Sequence, residues 1–102
     1  MFTLKRIKKT SHIKFELEYT YPTHKNVIRD LLNDAIENDD EKIVLDFTNV
    51  KILDISSFKM IINGVLRCNN LGKDLEIRYN QSPNDNYVNR IFEFMNIEKT
   101  GI

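Results

Sequence analysis

The feature of this sequence that most constrains its fold is the run Lys-Ile-Val-Leu-Asp-Phe at residues 42–47. Its apolar residues hardly alternate with polar ones, which is typical of a strand covered on both faces in a parallel sheet. From Asp54 to about Leu71 the apolar residues recur at helical spacing, which predicts an amphipathic helix. Parallel strands need such crossover helices between them. The run therefore indicates an α/β domain, with Leu45 and Ile62 buried where sheet and helix meet.

Ahead of this run the sequence predicts a β-hairpin. Apolar and polar residues alternate from Ile13 to Tyr21, and Phe2 and Leu4 begin a similar pattern. A period of two gives a strand one apolar face. We expect Lys8–His12 to form the turn that joins the two strands.

The remaining elements alternate between helix and strand. Apolar spacing predicts three amphipathic helices, over residues 23–36, 54–71 and 87–95. Thr23 is the expected N-cap of the first helix, and Leu71-Gly72 the expected end of the second. The apolar stripe of the second helix is Phe58, Ile61, Ile62, Val65 and Leu66. Strands are predicted over residues 75–79 and 97–102. We therefore predict a single domain over residues 1–102, with a mixed, mainly parallel sheet, an N-terminal β-hairpin at its edge and three helices.

Composition and charge narrow the classes of partner. Of the 102 residues 41% are hydrophobic, and 15 basic and 15 acidic residues give a formal net charge of zero. A neutral chain offers no basic field for nucleic acid, and no apolar run reaches the roughly 18 residues of a membrane span. A single cysteine, Cys68, fits a reducing compartment. We expect a cytoplasmic protein that neither binds nucleic acid nor inserts into a membrane. The sequence leaves its oligomeric state open.

The sequence offers few groups for catalysis. Its three glycines are Gly64, Gly72 and Gly101. Their spacing matches neither the GxGxxG loop nor the Walker A loop with which nucleotide-binding proteins hold phosphate. His12 and His24 are far from Cys68 in sequence and lack metal-ligand spacing. We predict no catalytic residue, no metal and no cofactor. A small enzyme is the alternative, if folding brings a histidine beside Asp54 and Ser56.

The segment Asp54-Ile55-Ser56-Ser57 is the candidate functional site. Two hydroxyls at the start of the predicted helix meet free backbone N–H groups and the positive end of the helix dipole. Such a helix start is a favourable place for a phosphate group. Aspartate and serine are also preferred helix caps, so capping alone is the other interpretation of these residues.

The strand, the connection and the serine-bearing helix start resemble those of STAS domains, in particular the bacterial anti-sigma factor antagonists. The family's run of aspartate, two hydroxyl residues, glycine and leucine falls on Asp54, Ile55, Ser56, Ser57 and Phe58. Isoleucine thus stands at the first hydroxyl position, and serine stands at the glycine position. The similarity continues through Leu71–Ile77 and Val88–Ile97. It covers residues 42–102 well, whereas the first forty residues match in pattern only.

The resemblance implies a function for this segment. In the family, the second serine is phosphorylated by a partner kinase that is also the anti-sigma factor, and this role falls on Ser56, with Ser57 as the alternative. The resemblance therefore implies a non-enzymatic regulator that binds an anti-sigma factor of the serine-kinase type, and a phosphatase, through Asp54–Phe58. Some relatives act without a phosphate cycle, for example in lipid-transport ATPase complexes. A constitutive interaction subunit of such a complex is the alternative function.

Overall fold

Residues 1–79 are described by the computed structural model. Their elements in chain order are β1 (Phe2–Ile7), β2 (Thr10–Phe15), a 3-10 turn (Pro22–His24), α1 (Lys25–Glu37), β3 (Lys42–Phe47), α2 (Ile55–Asn70) and β4 (Asp74–Tyr79). The first two predicted helices and the strands over 42–47 and 75–79 are present. The third predicted helix, over 87–95, and the last strand, over 97–102, lie outside the described residues.

The four described strands form one sheet in the order β1-β2-β3-β4. The strands β1 and β2 are antiparallel, whereas β2 pairs with β3 and β3 with β4 in parallel. The predicted mixed, mainly parallel sheet with a hairpin at its edge is confirmed. Because α1 joins β2 to β3 and α2 joins β3 to β4, these three strands point the same way. Their carboxyl ends lie side by side at one end of the sheet, its carboxyl edge.

The hairpin turn is shorter than the sequence suggests. It consists of Lys8 and Lys9, whose φ angles are 48° and 63°, and β2 already begins at Thr10. Positive φ at both central residues belongs to the two-residue turns whose twist suits a hairpin. The predicted turn over Lys8–His12 was wrong, because neither glycine nor asparagine marks the tight turn in the sequence.

The second strand also ends earlier than its alternation predicts. It stops at Phe15 rather than Tyr21, and residues 16–21 form a loop over the carboxyl edge of the sheet. The last parallel pair of β2 with β3 joins Lys14 to Asp46, so the continuous ladder between these two strands ends there. The loop pairs again with the segment that follows β3, at a parallel bridge between Tyr19 and Ile52.

Both helices pack on the same face of the sheet. The core cluster joins Ile13, Phe15, Ile28, Leu32, Ile36, Leu45, Ile61 and Ile77, among others. Leu45 is fully buried as predicted, whereas Ile62 is only half-buried. The buried residues of α2 are Ser57, Ile61, Gly64, Val65 and Cys68. The predicted stripe was therefore rotated, since Leu66 is 54% exposed; α2 has apolar side chains on more than one face, and packing selects the face that contains glycine.

The predicted end of α2 is confirmed, whereas the predicted N-cap of α1 was wrong. At the end of α2, Gly72 has a φ of 69°, and its N–H bonds to the Asn69 carbonyl while that of Lys73 bonds to the Cys68 carbonyl. This is the Schellman pattern that favours glycine. At the start of α1 the N-cap position is His24, without a side-chain cap, so Thr23 does not cap this helix. Neither described helix is long and apolar enough to cross a membrane.

Candidate functional site

The candidate site lies at the carboxyl edge of the sheet, where the connection from β3 enters α2. Asp54 is the N-cap of α2, with extended backbone angles, and Ile55 is the first helical residue. The carboxylate Oδ2 of Asp54 accepts a hydrogen bond from the Ser57 N–H at 3.1 Å. This bond satisfies one of the free N–H groups of the first helical turn. The predicted strand-to-helix junction is thus present, and Asp54 acts as its cap.

A threonine from another loop completes the environment of Asp54. The hydroxyl of Thr20 donates to Asp54 Oδ1 at 2.6 Å and accepts from the Asp54 N–H at 2.8 Å. Thr20 is only 4% exposed. Burial by itself raises the pKa of Asp54, but the hydrogen bonds from Ser57 and Thr20 outweigh it and the pKa is lowered. Asp54 is therefore a carboxylate held in place on both oxygens.

Backbone hydrogen bonds fasten the two loops to each other. The N–H groups of Lys51 and Ile52 both donate to the Glu18 carbonyl, at 2.7 and 3.2 Å, and the Thr20 N–H donates to the Ile52 carbonyl at 3.1 Å. These three bonds continue the parallel pairing of β2 and β3 after both strands have ended. The start of α2 is therefore anchored to the loop that precedes α1.

The two serines of the site differ in their surroundings. Ser57 is fully buried, and its hydroxyl donates to the Tyr21 carbonyl at 3.3 Å. From its place at the strand-to-helix junction we expected the Ser56 side chain to be exposed, but it is half-buried. Within residues 1–79 the structure gives the Ser56 hydroxyl no hydrogen-bond partner. Ser56 is thus the hydroxyl left available in the first turn of α2, close to the positive end of its dipole.

Apolar side chains surround this helix start. Ile55 is 69% exposed, and the neighbouring loops add Ile52 at 49%, Tyr19 at 45% and Tyr21 at 59%. Phe58 differs from these, because it is partly buried and packs against the core. The segment Asp54–Phe58 therefore presents Ile55 and Ser56 outward, while Ser57 and Phe58 fix it to the domain.

The described residues do not assemble a catalytic or metal-binding group around the serines. The His24 Nδ1 accepts a hydrogen bond from the Tyr21 N–H at 3.0 Å, and its ring lies against Phe2 and Tyr21. Within residues 1–79, neither histidine is hydrogen-bonded to Asp54 or Ser56, and no three His, Cys, Asp or Glu side chains are grouped so as to hold a metal ion.

Thr20 is the site residue that sequence reasoning missed. It lies 34 residues from Asp54, in a stretch whose alternation predicts a continuing strand. One signal could have found it, because parallel strands bring the loops after their carboxyl ends together. A threonine following β2 is then placed beside the residues that follow β3.

Comparison with known proteins places this geometry in a known fold. No family model matches the sequence, and no curated protein is similar to it in sequence. Among solved structures, the anti-sigma factor antagonist SpoIIAA in its unphosphorylated form matches with a TM-score of 0.73 and 18% identity, over 92% of this chain and 83% of that one. The phosphorylated form of SpoIIAA, a Bacillus cell fate determinant, matches with the same score and identity, over 93% and 83%.

A third match is an anti-sigma factor antagonist from Mycobacterium paratuberculosis, with a TM-score of 0.74 and 7% identity, over 94% of this chain and 77% of that one. The chain therefore has the fold of the anti-sigma factor antagonists, the STAS fold, as the resemblance implied. At such low identities the likeness establishes the fold and not the activity.

Proposed function

We propose that this chain is a non-enzymatic regulator, a single domain over residues 1–102, that binds a protein partner through Asp54–Phe58 and is switched by phosphorylation of Ser56. Its partners are an anti-sigma factor of the serine-kinase type and a phosphatase, in the cytoplasm. The observation that carries the proposal is the half-buried hydroxyl of Ser56, which has no hydrogen-bond partner within residues 1–79 and lies in the first turn of a capped helix.

Helix geometry supports a phosphate at this position. A phosphoserine adds about −1.5 to −2 charges and three acceptor oxygens. In the first turn of α2 it meets unpaired N–H groups and the positive dipole end, so the free protein tolerates it. The phosphorylated form of SpoIIAA, which has a similar fold, is consistent with this. Ser57 is the weaker candidate, because its hydroxyl is buried and already bonded.

The apolar surroundings explain how a phosphate would act on binding. A partner that covers Ile55, Ile52 and Tyr19, all at least 45% exposed, also covers Ser56. A neutral hydroxyl can be covered at small cost, whereas a dianion must lose its hydration. A penalty of a few kcal/mol weakens binding by about ten- to a thousandfold. Phosphorylation should therefore release the partner without unfolding the chain.

Mass spectrometry of the protein purified from its native host tests the modification. Trypsin releases residues 52–59, Ile-Leu-Asp-Ile-Ser-Ser-Phe-Lys, in which Ser56 and Ser57 are the two hydroxyl residues. A phosphate adds about 80 Da to this peptide, and fragmentation assigns it to one serine. We expect it on Ser56. A peptide that is never modified, under any growth condition, would exclude the switch and favour the constitutive interaction subunit.

Binding measurements test the consequence. Ser56→Asp should reduce capture of the partner, whereas Ser56→Ala should bind as the unmodified protein does and resist phosphorylation. Asn49→Asp is the matched control, because it adds the same charge at an exposed position of the same connection. Equal capture by all three variants and wild type would contradict the proposed function.

A further inference from the structure

A groove of about 550 Å³ opens to solvent between α1 and α2. At its floor the two helices approach closely, because a Cβ atom at Gly64 would lie 3.0 Å from Leu32 Cδ1. Met60 and Leu66 extend the apolar lining, and Leu66 is 54% exposed. The absence of a side chain at Gly64 thus lets Leu32 pack against the backbone of α2, which makes the floor of the groove apolar.

The charged residues that line the groove are both basic. Arg29 of α1 and Arg67 of α2 stand on its two sides, and the other polar residues that line it are the neutral Asn33, Asn63 and Asn70. No carboxylate is among the described residues that line it. On a chain of zero net charge, the groove is therefore a local positive site with an apolar floor.

Both arginines can exchange their present partners. Arg29 pairs with its neighbour Asp30 at 3.2 Å, and Arg67 lies 4.0 Å from Glu37. Arg67 also donates a hydrogen bond to the Asn33 Oδ1 across the groove, which an incoming carboxylate would have to replace. The four charged side chains are more than 40% exposed. Exposed ion pairs contribute little to stability, so a carboxylate presented by a ligand can compete for either arginine.

The groove runs along α2. Its lining on α2 recurs on successive turns at Met60, Asn63, Arg67 and Asn70, which spans about 15 Å at 1.5 Å per residue. An amphipathic helix that lays an apolar face into such a groove meets it at the same spacing. The length and the apolar floor thus fit a helix better than a compact small molecule.

We propose that the groove between α1 and α2 binds an acidic amphipathic helix of a protein partner. Apolar residues of that helix contact Leu32, Met60 and Leu66, and its acidic residues pair with Arg29 and Arg67. The candidate switch lies beside one end of the groove, because Ser56 precedes Met60 by one helical turn on the same stripe of α2. This link, which rests on the proposed function, means that a phosphate on Ser56 repels the acidic helix.

The test uses isotope-labelled unphosphorylated protein and synthetic peptides. One peptide is a helix of about 16 residues with leucines at i, i+3, i+4 and i+7 and glutamates beside them; its match carries lysines instead. We expect the glutamate peptide to shift the amide resonances of Asn63, Gly64 and Arg67, and the lysine peptide to bind more weakly. Reversing both arginines, by Arg29→Glu and Arg67→Glu, should lower affinity for the glutamate peptide by about tenfold or more.

The double variant Lys5→Glu and Lys14→Glu controls for net charge, because it changes the charge by the same amount and because Lys5 on β1 and Lys14 on β2 are exposed and do not line the groove. It should leave binding unchanged. Equal binding of both peptides, equal effects of the groove and control variants, or shifts confined to residues outside the groove would overturn the proposal. So would binding of anionic phospholipid vesicles with no binding of the glutamate peptide. None of these results depends on whether Ser56 is phosphorylated in the cell.

A last measurement separates the groove from the switch. Protein carrying phosphoserine at Ser56 should bind the glutamate peptide more weakly than unmodified protein and the lysine peptide no more weakly. Unchanged affinity for the glutamate peptide would overturn the link between phosphate and groove.

Discussion

Replacing Thr20 with valine removes the contact that joins the two loops of the candidate site. The Thr20 hydroxyl donates to Asp54 Oδ1 at 2.6 Å and accepts from the Asp54 N–H at 2.8 Å. Valine has nearly the same shape, but its methyl group neither donates nor accepts a hydrogen bond. Thr20→Val therefore leaves the packing in place while it removes two hydrogen bonds, one of them to a carboxylate.

The expected cost follows from these bonds. A hydrogen bond to a charged group contributes about 1.5–3 kcal/mol, and an N–H left without a partner costs about 1–3 kcal/mol when it is buried. Because Asp54 is only half-buried, water can compensate in part. We expect Thr20→Val to lower the free energy of unfolding by about 2–4 kcal/mol at neutral pH. This is a large share of the roughly 5–15 kcal/mol that keeps a domain folded.

The cost should also depend on pH. The pKa of Asp54 is lowered in the folded protein, where hydrogen bonds from Ser57 and Thr20 outweigh the opposing effect of burial. A lowered pKa contributes stability above about pH 4, which is lost as the pH falls through the folded-state pKa. The wild type should therefore lose more stability in acid than Thr20→Val, and the difference should narrow to about 0.5–1.5 kcal/mol.

Urea unfolding followed by circular dichroism measures both effects. With a slope of about 2 kcal/mol per molar, the midpoint should fall by about 1–2 M at neutral pH. Thr48→Val is the matched control, since the Thr48 hydroxyl also donates to an aspartate, Asp46, at 2.7 Å, but is exposed. Its cost should stay within about 0.5 kcal/mol. Equal costs for the two variants, or a Thr20→Val cost that is independent of pH, would show that the two hydrogen bonds of Thr20 to Asp54 do not stabilise the site.

Three further substitutions test the fold, each by urea unfolding. Leu45→Ala empties a fully buried position and should cost about 2–5 kcal/mol; an unchanged midpoint would show that β3 is not central. Gly64→Ala gains about 1 kcal/mol of helix propensity, but its Cβ would lie 3.0 Å from Leu32, and overpacking costs about 1–3 kcal/mol. We expect Gly64→Ala to lower the free energy of unfolding of the wild type and to raise it in a Leu32→Ala background. A lower free energy of unfolding in both backgrounds would contradict this expectation. Lys9→Gly, at a φ of 63°, should stabilise by about 1 kcal/mol, and destabilisation would count against a strained turn.

Local signals in the sequence were sufficient for most of the fold. The unbroken apolar run predicted β3 at residues 42–47, and Leu71-Gly72 predicted the end of α2. Both signals are local in the sequence, namely an unbroken apolar run and a glycine, which accepts the left-handed conformation. The candidate helix start at Asp54 was found for the same reason, since a cap acts within its own first turn.

The errors concern features that depend on packing at long range. Apolar residues occupy more than one face of α2, and only packing against the rest of the domain decides that Ile61 is buried and Ile62 half-buried. The alternation that continues to Tyr21 carries no information about where the neighbouring strand ends. The role of Thr20 was missed for the same reason, because its partner Asp54 is 34 residues away and only the pairing of β2 with β3 brings the two together.

That separation bears on the order in which the site forms during folding. The bridge between Tyr19 and Ile52 and the bonds of Thr20 to Asp54 each close a loop of more than thirty residues, and such contacts form only after chain entropy has been lost elsewhere. In a newly synthesised chain α2 can form early, but its N-terminus is not anchored to the loop that contains Thr20 until β2 and β3 have paired. An enzyme that modified Ser56 as proposed, and that required this anchored helix start, would therefore discriminate native molecules from folding intermediates.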